Sequence, residues 1–131
     1  MNKTQPSLNI PTTRLIKKPP PIKESALVNL ILATLLFRYK TTLKLWRNNT
    51  GAFKTEGGKF LRFGSAGSPD LIGVLCPGGR FVGLEVKTDK GKLSPQQAAW
   101  LQDAGDLGAL VGVVRSVEEA IALIESGRVV A

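Results

Sequence analysis

The stretch that most constrains this chain runs from Gly67 to Lys87, G-S-P-D-L-I-G-V-L-C-P-G-G-R-F-V-G-L-E-V-K. Apolar and β-branched residues fill two arms, Asp70 to Leu75 and Arg80 to Lys87, and Pro77-Gly78-Gly79 separates them, so the pattern predicts a β-hairpin. In an antiparallel pair, opposed residues share a face, and the loop length therefore decides which charges meet. A two-residue Gly78-Gly79 loop puts Asp70 opposite Lys87 and Ile72 opposite Glu85; a four-residue loop from Cys76 to Gly79 puts Asp70 opposite Glu85 itself. Either choice leaves Asp70, Glu85 and Lys87 on one face, because Glu85 and Lys87 are two apart and side chains alternate along a strand. A three-residue loop without a bulge separates them.

Two carboxylates and an ammonium at one end of an otherwise apolar ribbon are costly to half-bury without a further charge. A divalent cation supplies one, and Mg²⁺ or Mn²⁺ needs only one or two carboxylates, completing its shell with water and phosphate oxygen. Asp70 and Glu85 are thus the candidate metal ligands, with the Val86 main-chain carbonyl between the charged residues as a further one. Lys87 is left to hold or deprotonate an attacking water, or to neutralise charge on a phosphate. The competing reading makes Glu85 and Lys87 a solvated strand pair and gives Asp70 only a turn-shaping role after Pro69. The chain contains no histidine, which excludes histidine-based zinc sites and Ser-His or Cys-His triads within it. Its single cysteine, Cys76, excludes an internal disulfide framework and, at a strand-to-turn junction, reads as a buried or inert thiol in a reducing compartment.

The order of the pieces says more than the spacing. Pro69-Asp70, a short strand and turn, then Glu85-Val86-Lys87 resembles the PD-(D/E)XK nuclease superfamily, whose members cleave nucleic-acid phosphodiesters with Mg²⁺. The flanking blocks W-R-N-N-T-G, from Trp46, and K-L-S-P-Q-Q-A-A-W, from Lys92, are similar to those of its VRR-NUC branch, and the resemblance covers about residues 24 to 125. It implies an α/β fold of restriction-endonuclease type, a mixed sheet flanked by helices, and a metal-dependent DNA endonuclease. In that reading Asp70 and Glu85 bind Mg²⁺ or Mn²⁺, Lys87 positions the attacking water, and Gln97, at the place of a motif glutamine, faces the site. The family's glutamate on the first helix falls at Glu24, which the resemblance makes a third acidic group reaching the metal. Stand-alone members of the branch resemble small phage and bacterial enzymes that act on branched DNA as homodimers, some like Holliday-junction resolvases. Two alternatives stay open: a less discriminating nuclease on flaps, duplex ends or single strands, and a DNA-binding module that does not cut.

At 131 residues the chain is long enough for one domain and its core. We read 1–22 as a basic, proline-rich, poorly ordered arm and 23–131 as the nuclease domain. The net charge of +8 is uneven: twelve Lys or Arg face two acids through Arg62, and six face eight thereafter. A basic half joined to clustered acids suits a polyanion surface beside a metal site. The nucleic-acid candidates are Arg47, Asn48 and Asn49 in the matching block, Lys59 and Arg62 on a returning strand, and Lys90 and Lys92 in the turn after Lys87. Turn chemistry competes for Asn48 and Asn49. Trp46 reads as core rather than as a base-stacking platform.

The first predicted helix, Lys23 to Tyr39, is nearly continuously apolar from Ala26 to Phe37. It is too short to cross a membrane, and its pattern predicts burial both on the sheet and against a second subunit. Glu24 shares a helical face with Leu27, Val28, Ile31 and Leu35; the competing reading for it is an acid favoured by the helix dipole. Leu43 to Asn48 reads as a strand, Asn49-Thr50-Gly51 as a turn, A-F-K-T-E-G-G as a mobile insert, and Lys59 to Phe63 as the returning strand. The small-residue loop from Gly64 to Ser68 suits an anion, but lacks the lysine and hydroxyl of a P-loop, so no nucleotide cofactor is expected. Ser94-Pro95-Gln96-Gln97 opens a helix with the residues of a capping box, a role for Gln97 that rivals the site role, one rotamer not serving both. Ala109 to Val114 reads as a last strand, and Ser116 with Glu119 caps a final helix ending at Gly127. The expected order is αββββαβα. Without an apolar signal core at the start, the expected location is cytoplasmic, in a bacterium or phage-infected host.

Overall fold

A computed structural model describes residues 20–128. Most of the expected N-terminal arm lies outside the described residues. Helix α1 (Glu24–Arg38) is followed by strands β1 (Leu43–Arg47), β2 (Gly51–Lys54), β3 (Phe60–Phe63), β4 (Leu71–Leu75) and β5 (Arg80–Val86), then helix α2 (Pro95–Asp106), strand β6 (Leu110–Val114) and helix α3 (Val117–Arg128). Four strands form one mixed sheet in the order β1-β4-β5-β6, antiparallel except for the β5/β6 pair, and β2 with β3 forms a separate two-stranded sheet.

Alternation along β5 sorts the layers. Val82, Leu84 and Val86 point to a core closed by Leu27, Val28, Ile31 and Leu35 of α1 and by Ala120 and Ile124 of α3. Phe81, Gly83 and Glu85 point the other way, toward α2, where the Phe81 ring lies 6.3 Å from that of Trp100. Gly112 of β6 lets α3 approach closely: a Cβ there would sit 3.2 Å from Leu123 Cδ2. The buried Tyr39 ties the end of α1 to α3 by donating to Glu125 Oε1 at 2.7 Å.

The mixed α/β fold is the one expected, but its strand pairing differs from the sequence reading. β1 pairs with β4, not with the strand beginning near Lys59; that strand, β3, pairs with Gly51–Lys54, so the A-F-K of the supposed mobile insert is itself a strand. The order is therefore αβββββαβα. A Gly-Gly pair between alternating runs was the available hairpin signal, and the Thr55 turn confirms it, with Thr55 N–H donating to Lys59 O at 2.8 Å and Gly58 at φ +81°. Cys76 is exposed, so it is no buried thiol. Trp46 is 46% exposed, because alternation in β1 buries Leu43 and Leu45 and turns Trp46 away from the α1 core. Among the described residues no helix is long and apolar enough to cross a membrane.

Candidate active site

The β4–β5 loop takes the four-residue form, with Leu75 opposite Arg80 and Leu71 opposite Leu84, so continuing the register brings Asp70 opposite Glu85. Gly78 and Gly79 make this possible, at φ +79° and +66°, a region that residues with a Cβ rarely enter. Pro69 is fully buried and seats on Gly83, where a Cβ would lie 2.8 Å from Pro69 Cγ. Asp70 is thereby held at the mouth of the strand pair. Its Oδ2 accepts from the Val86 N–H at 2.8 Å, and its carbonyl accepts from the Asn48 N–H at 2.8 Å.

Glu85 is only 2% exposed, facing the α2 side of the sheet. Its Oε1 accepts from Gln97 Nε2 at 3.1 Å and lies 3.5 Å from Lys87 Nζ. Burial above all, and then the facing Asp70 carboxylate, push the Glu85 carboxyl up to about 7, against the opposing pull of Lys87. Lys87 is 9% exposed, and its stem packs beside Gly91, where a Cβ would meet Lys87 Cδ at 3.2 Å. Arg115 holds that turn by donating to the Thr88 and Gly91 carbonyls at 2.6 and 2.8 Å.

Gln97 corrects the expectation that it must choose between cap and site. Its side-chain oxygen accepts from the Ser94 N–H at 2.9 Å while its amide nitrogen reaches Glu85, and the Ser94 hydroxyl accepts from the Gln97 N–H at 3.1 Å. The two ends of one amide serve both tasks, because the capping box consumes only the acceptor. The box thus orients the donor at Glu85.

The family model of the VRR-NUC domain matches residues 40–118, more than half of the chain and the whole of this constellation. The chain belongs to the VRR-NUC family. A solved VRR-NUC domain structure is similar to it with a TM-score of 0.51 and 25% identity, over 74% of this chain and 92% of that one. No curated protein matches. This VRR-NUC domain is therefore a nuclease-type, DNA-processing domain of mixed α/β fold.

Not every residue expected at the site of this VRR-NUC domain reaches it. Glu24 is exposed on the first turn of α1, and among the described residues no group of three acidic, histidine or cysteine side chains gathers to hold a metal. Glu24 sits a turn before the buried stripe of α1 begins at Leu27. Asn48 is half-buried and donates to Ser68 Oγ at 2.7 Å and to Pro69 O at 3.0 Å, so its amide holds the loop that carries Asp70. Arg47 donates to Asn29 at 2.9 Å; Asn49, Lys59, Arg62, Lys90 and Lys92 are exposed. The Gly64 to Ser68 loop packs against α2: Ser65 Oγ accepts from Trp100 Nε1 at 3.0 Å, and Gly67, at φ +84°, lies too close to Gln96 for any Cβ. Sequence reasoning missed the positioning parts played by Gly83, Asn48 and Arg115, since such contacts join segments distant along the chain. It also passed over Lys54 and Phe60, although their alternation across a Gly-Gly turn was visible.

Proposed function

We propose that this chain is a metal-dependent DNA endonuclease, hydrolysing phosphodiester bonds and acting as a homodimer on branched DNA in the manner of a Holliday-junction resolvase. The observation that carries the reading is the meeting of Asp70, Glu85, Lys87 and Gln97 at one mouth of the β4–β5 pair, with Lys87 and Gln97 both on Glu85 Oε1. The donor set fits a small hard dication: two facing carboxylates disfavour each other's charge when unaccompanied, as the raised Glu85 proton affinity reflects, and only oxygen donors are present. Asp70, Glu85 and the Val86 carbonyl would hold Mg²⁺ or Mn²⁺. Bound there, such an ion lowers the pKa of water and offsets charge on the scissile phosphate.

The chain's own groups do the rest. The Val86 N–H fixes the Asp70 carboxylate through Oδ2 beside Glu85. Gln97 steadies the Glu85 carboxylate, and Lys87, the ammonium next to it, holds the attacking water in place and offsets charge that develops on the phosphate. A second copy is supported by α1, which keeps Leu30, Leu36 and Phe37 exposed on the side away from the sheet, Phe37 at 75%.

The test incubates labelled four-way junction, flap, linear duplex and single-stranded DNA with Mg²⁺, Mn²⁺ or a chelator. Wild type cuts the junction fastest and only with metal, whereas Asp70→Ala and Lys87→Ala bind it and lose at least about a hundredfold in rate. Equal cutting of all substrates would remove the junction preference, and binding without cleavage in Mn²⁺ would remove the enzyme.

A further inference from the structure

The β2–β3 hairpin is the part of the molecule that the site does not use. All eight of its strand residues are exposed, and its packing is chiefly within itself. An isolated two-stranded ribbon is marginal in water, so its two faces call for an explanation. Register assigns them. Gly51 opposite Phe63 and Phe53 opposite Leu61 make an apolar face, whose Phe53 and Phe63 rings lie 6.4 Å apart and stiffen the ribbon. Lys54 opposite Phe60 and Ala52 opposite Arg62 make the other. Phe60 takes no part in the ring pair and is 73% exposed between two cations. Lys59 adjoins it at the turn, Arg47 stands at the root, and Glu56 is the single acid of the ribbon.

The ribbon is rooted in the site. It leaves the chain just after Asn48, whose N–H bonds the Asp70 carbonyl at 2.8 Å, and returns through Gly64, where a Cβ would lie 2.7 Å from Thr50. Four residues per strand carry its tip roughly 13 Å from that root.

We propose that the Lys54–Phe60–Arg62 face is a binding arm for unpaired nucleotides, on which Phe60 stacks a base while Lys54 and Arg62 hold the adjoining phosphates. A flat aromatic flanked by cations is the chemistry that takes single-stranded nucleic acid irrespective of sequence. A two-fold contact of this face with its own copy is disfavoured, since it would bring Lys54 and Arg62 against like charges. The inference deepens the nuclease reading, because it gives the site a preference for DNA whose strands part near the cut, and it rests on that reading only for the connection to cleavage.

The test measures binding by fluorescence anisotropy, in chelator, of an oligothymidylate and of a blunt duplex of equal length, so that no cleavage intervenes. Phe60→Ala should melt as wild type does, bind the oligothymidylate roughly 10- to 100-fold more weakly, and bind the duplex within about threefold of wild type. Phe60→Trp should restore affinity, with its indole emission quenched by the oligothymidylate but not by the duplex. Lys54→Ala/Arg62→Ala should weaken both DNAs and flatten the salt dependence. Unchanged oligothymidylate binding by Phe60→Ala overturns the proposal, as does an equal loss for both DNAs. So does loss of self-association with DNA binding intact, which would make the face a protein interface. If the arm behaves as expected while wild type cuts nothing, the cleavage reading fails and the arm stands.

Discussion

Glu85 is pulled in opposite directions by burial and Asp70 on one side and by Lys87 on the other, with the first pair stronger. Its carboxyl, ordinarily near 4.5, loses its proton only around 7 in the folded, metal-free chain. Between those values the folded state keeps a proton that the unfolded state has released, so this group's contribution to stability is complete below the lower pKa and is lost as pH rises through the higher one. Thermal melts in chelator from about pH 5 to about pH 8 should therefore show a falling midpoint, and Glu85→Gln should remove most of that slope. Added Mg²⁺ should restore stability most at the alkaline end, where the carboxylates are already bare.

At the scale of elements, the start of α2 links helix capping to the site. Ser94→Ala should cost about 1 kcal/mol of stability, the usual loss for a serine cap. It leaves the Ser94 N–H on Gln97 Oε1 but removes the hydroxyl that fixes the Gln97 N–H, loosening the first turn that aims the Gln97 amide at Glu85, so the cleavage rate should fall further than the small drop in melting midpoint accounts for, with Ser94→Thr or Ser94→Asp restoring both. A second such link joins Gly83 to Pro69. A Cβ on Gly83 meets Pro69 Cγ at 2.8 Å and Val111 at 3.2 Å, so Gly83→Ala wedges the segment that aims Asp70. We expect a loss of about 1–3 kcal/mol, typical of overpacking, together with a collapse of cleavage. Gly73→Ala is the control: its Cβ would collide with the Lys44 carbonyl across the β1–β4 pair, which should harm folding first. Melting midpoints beside single-turnover rates separate the two outcomes.

Across the whole molecule, the core and the chemistry lie on opposite faces of the four-stranded sheet: α1 and α3 close one side, and Glu85 faces α2 on the other. Among the exposed cations are six on the hairpin, the end of β1 and the turn after Lys87, namely Arg47, Lys54, Lys59, Arg62, Lys90 and Lys92. If all six reach phosphates, log-log plots of DNA affinity against salt should have a slope of about −5, and affinity should fall ~10³-fold between about 50 and about 200 mM salt. A slope near zero in the anisotropy measurement would mean that this charge does not face the DNA.

Local chemistry was enough for the parts of this protein whose signals lie within a few residues of one another. The alternating arms and the glycines at 78 and 79 specify the hairpin, period-two alternation gives Asp70, Glu85 and Lys87 one face, and S-P-Q-Q starts α2 as expected. The order of the motif blocks was sufficient to indicate the family. Tertiary structure decided what depended on partners far along the chain. Which loop length holds is settled by Pro69 seating on Gly83 and Asp70 capping the Val86 N–H. Glu24 has the helical phase of a core residue yet is exposed on the first turn of α1, and Trp46 has an apolar side chain that β1 turns away from the α1 core. The β1–β4 pairing, too, was hidden, because strand choice follows from how sheet and helices bury apolar surface together, a sum over the whole fold that no short window contains.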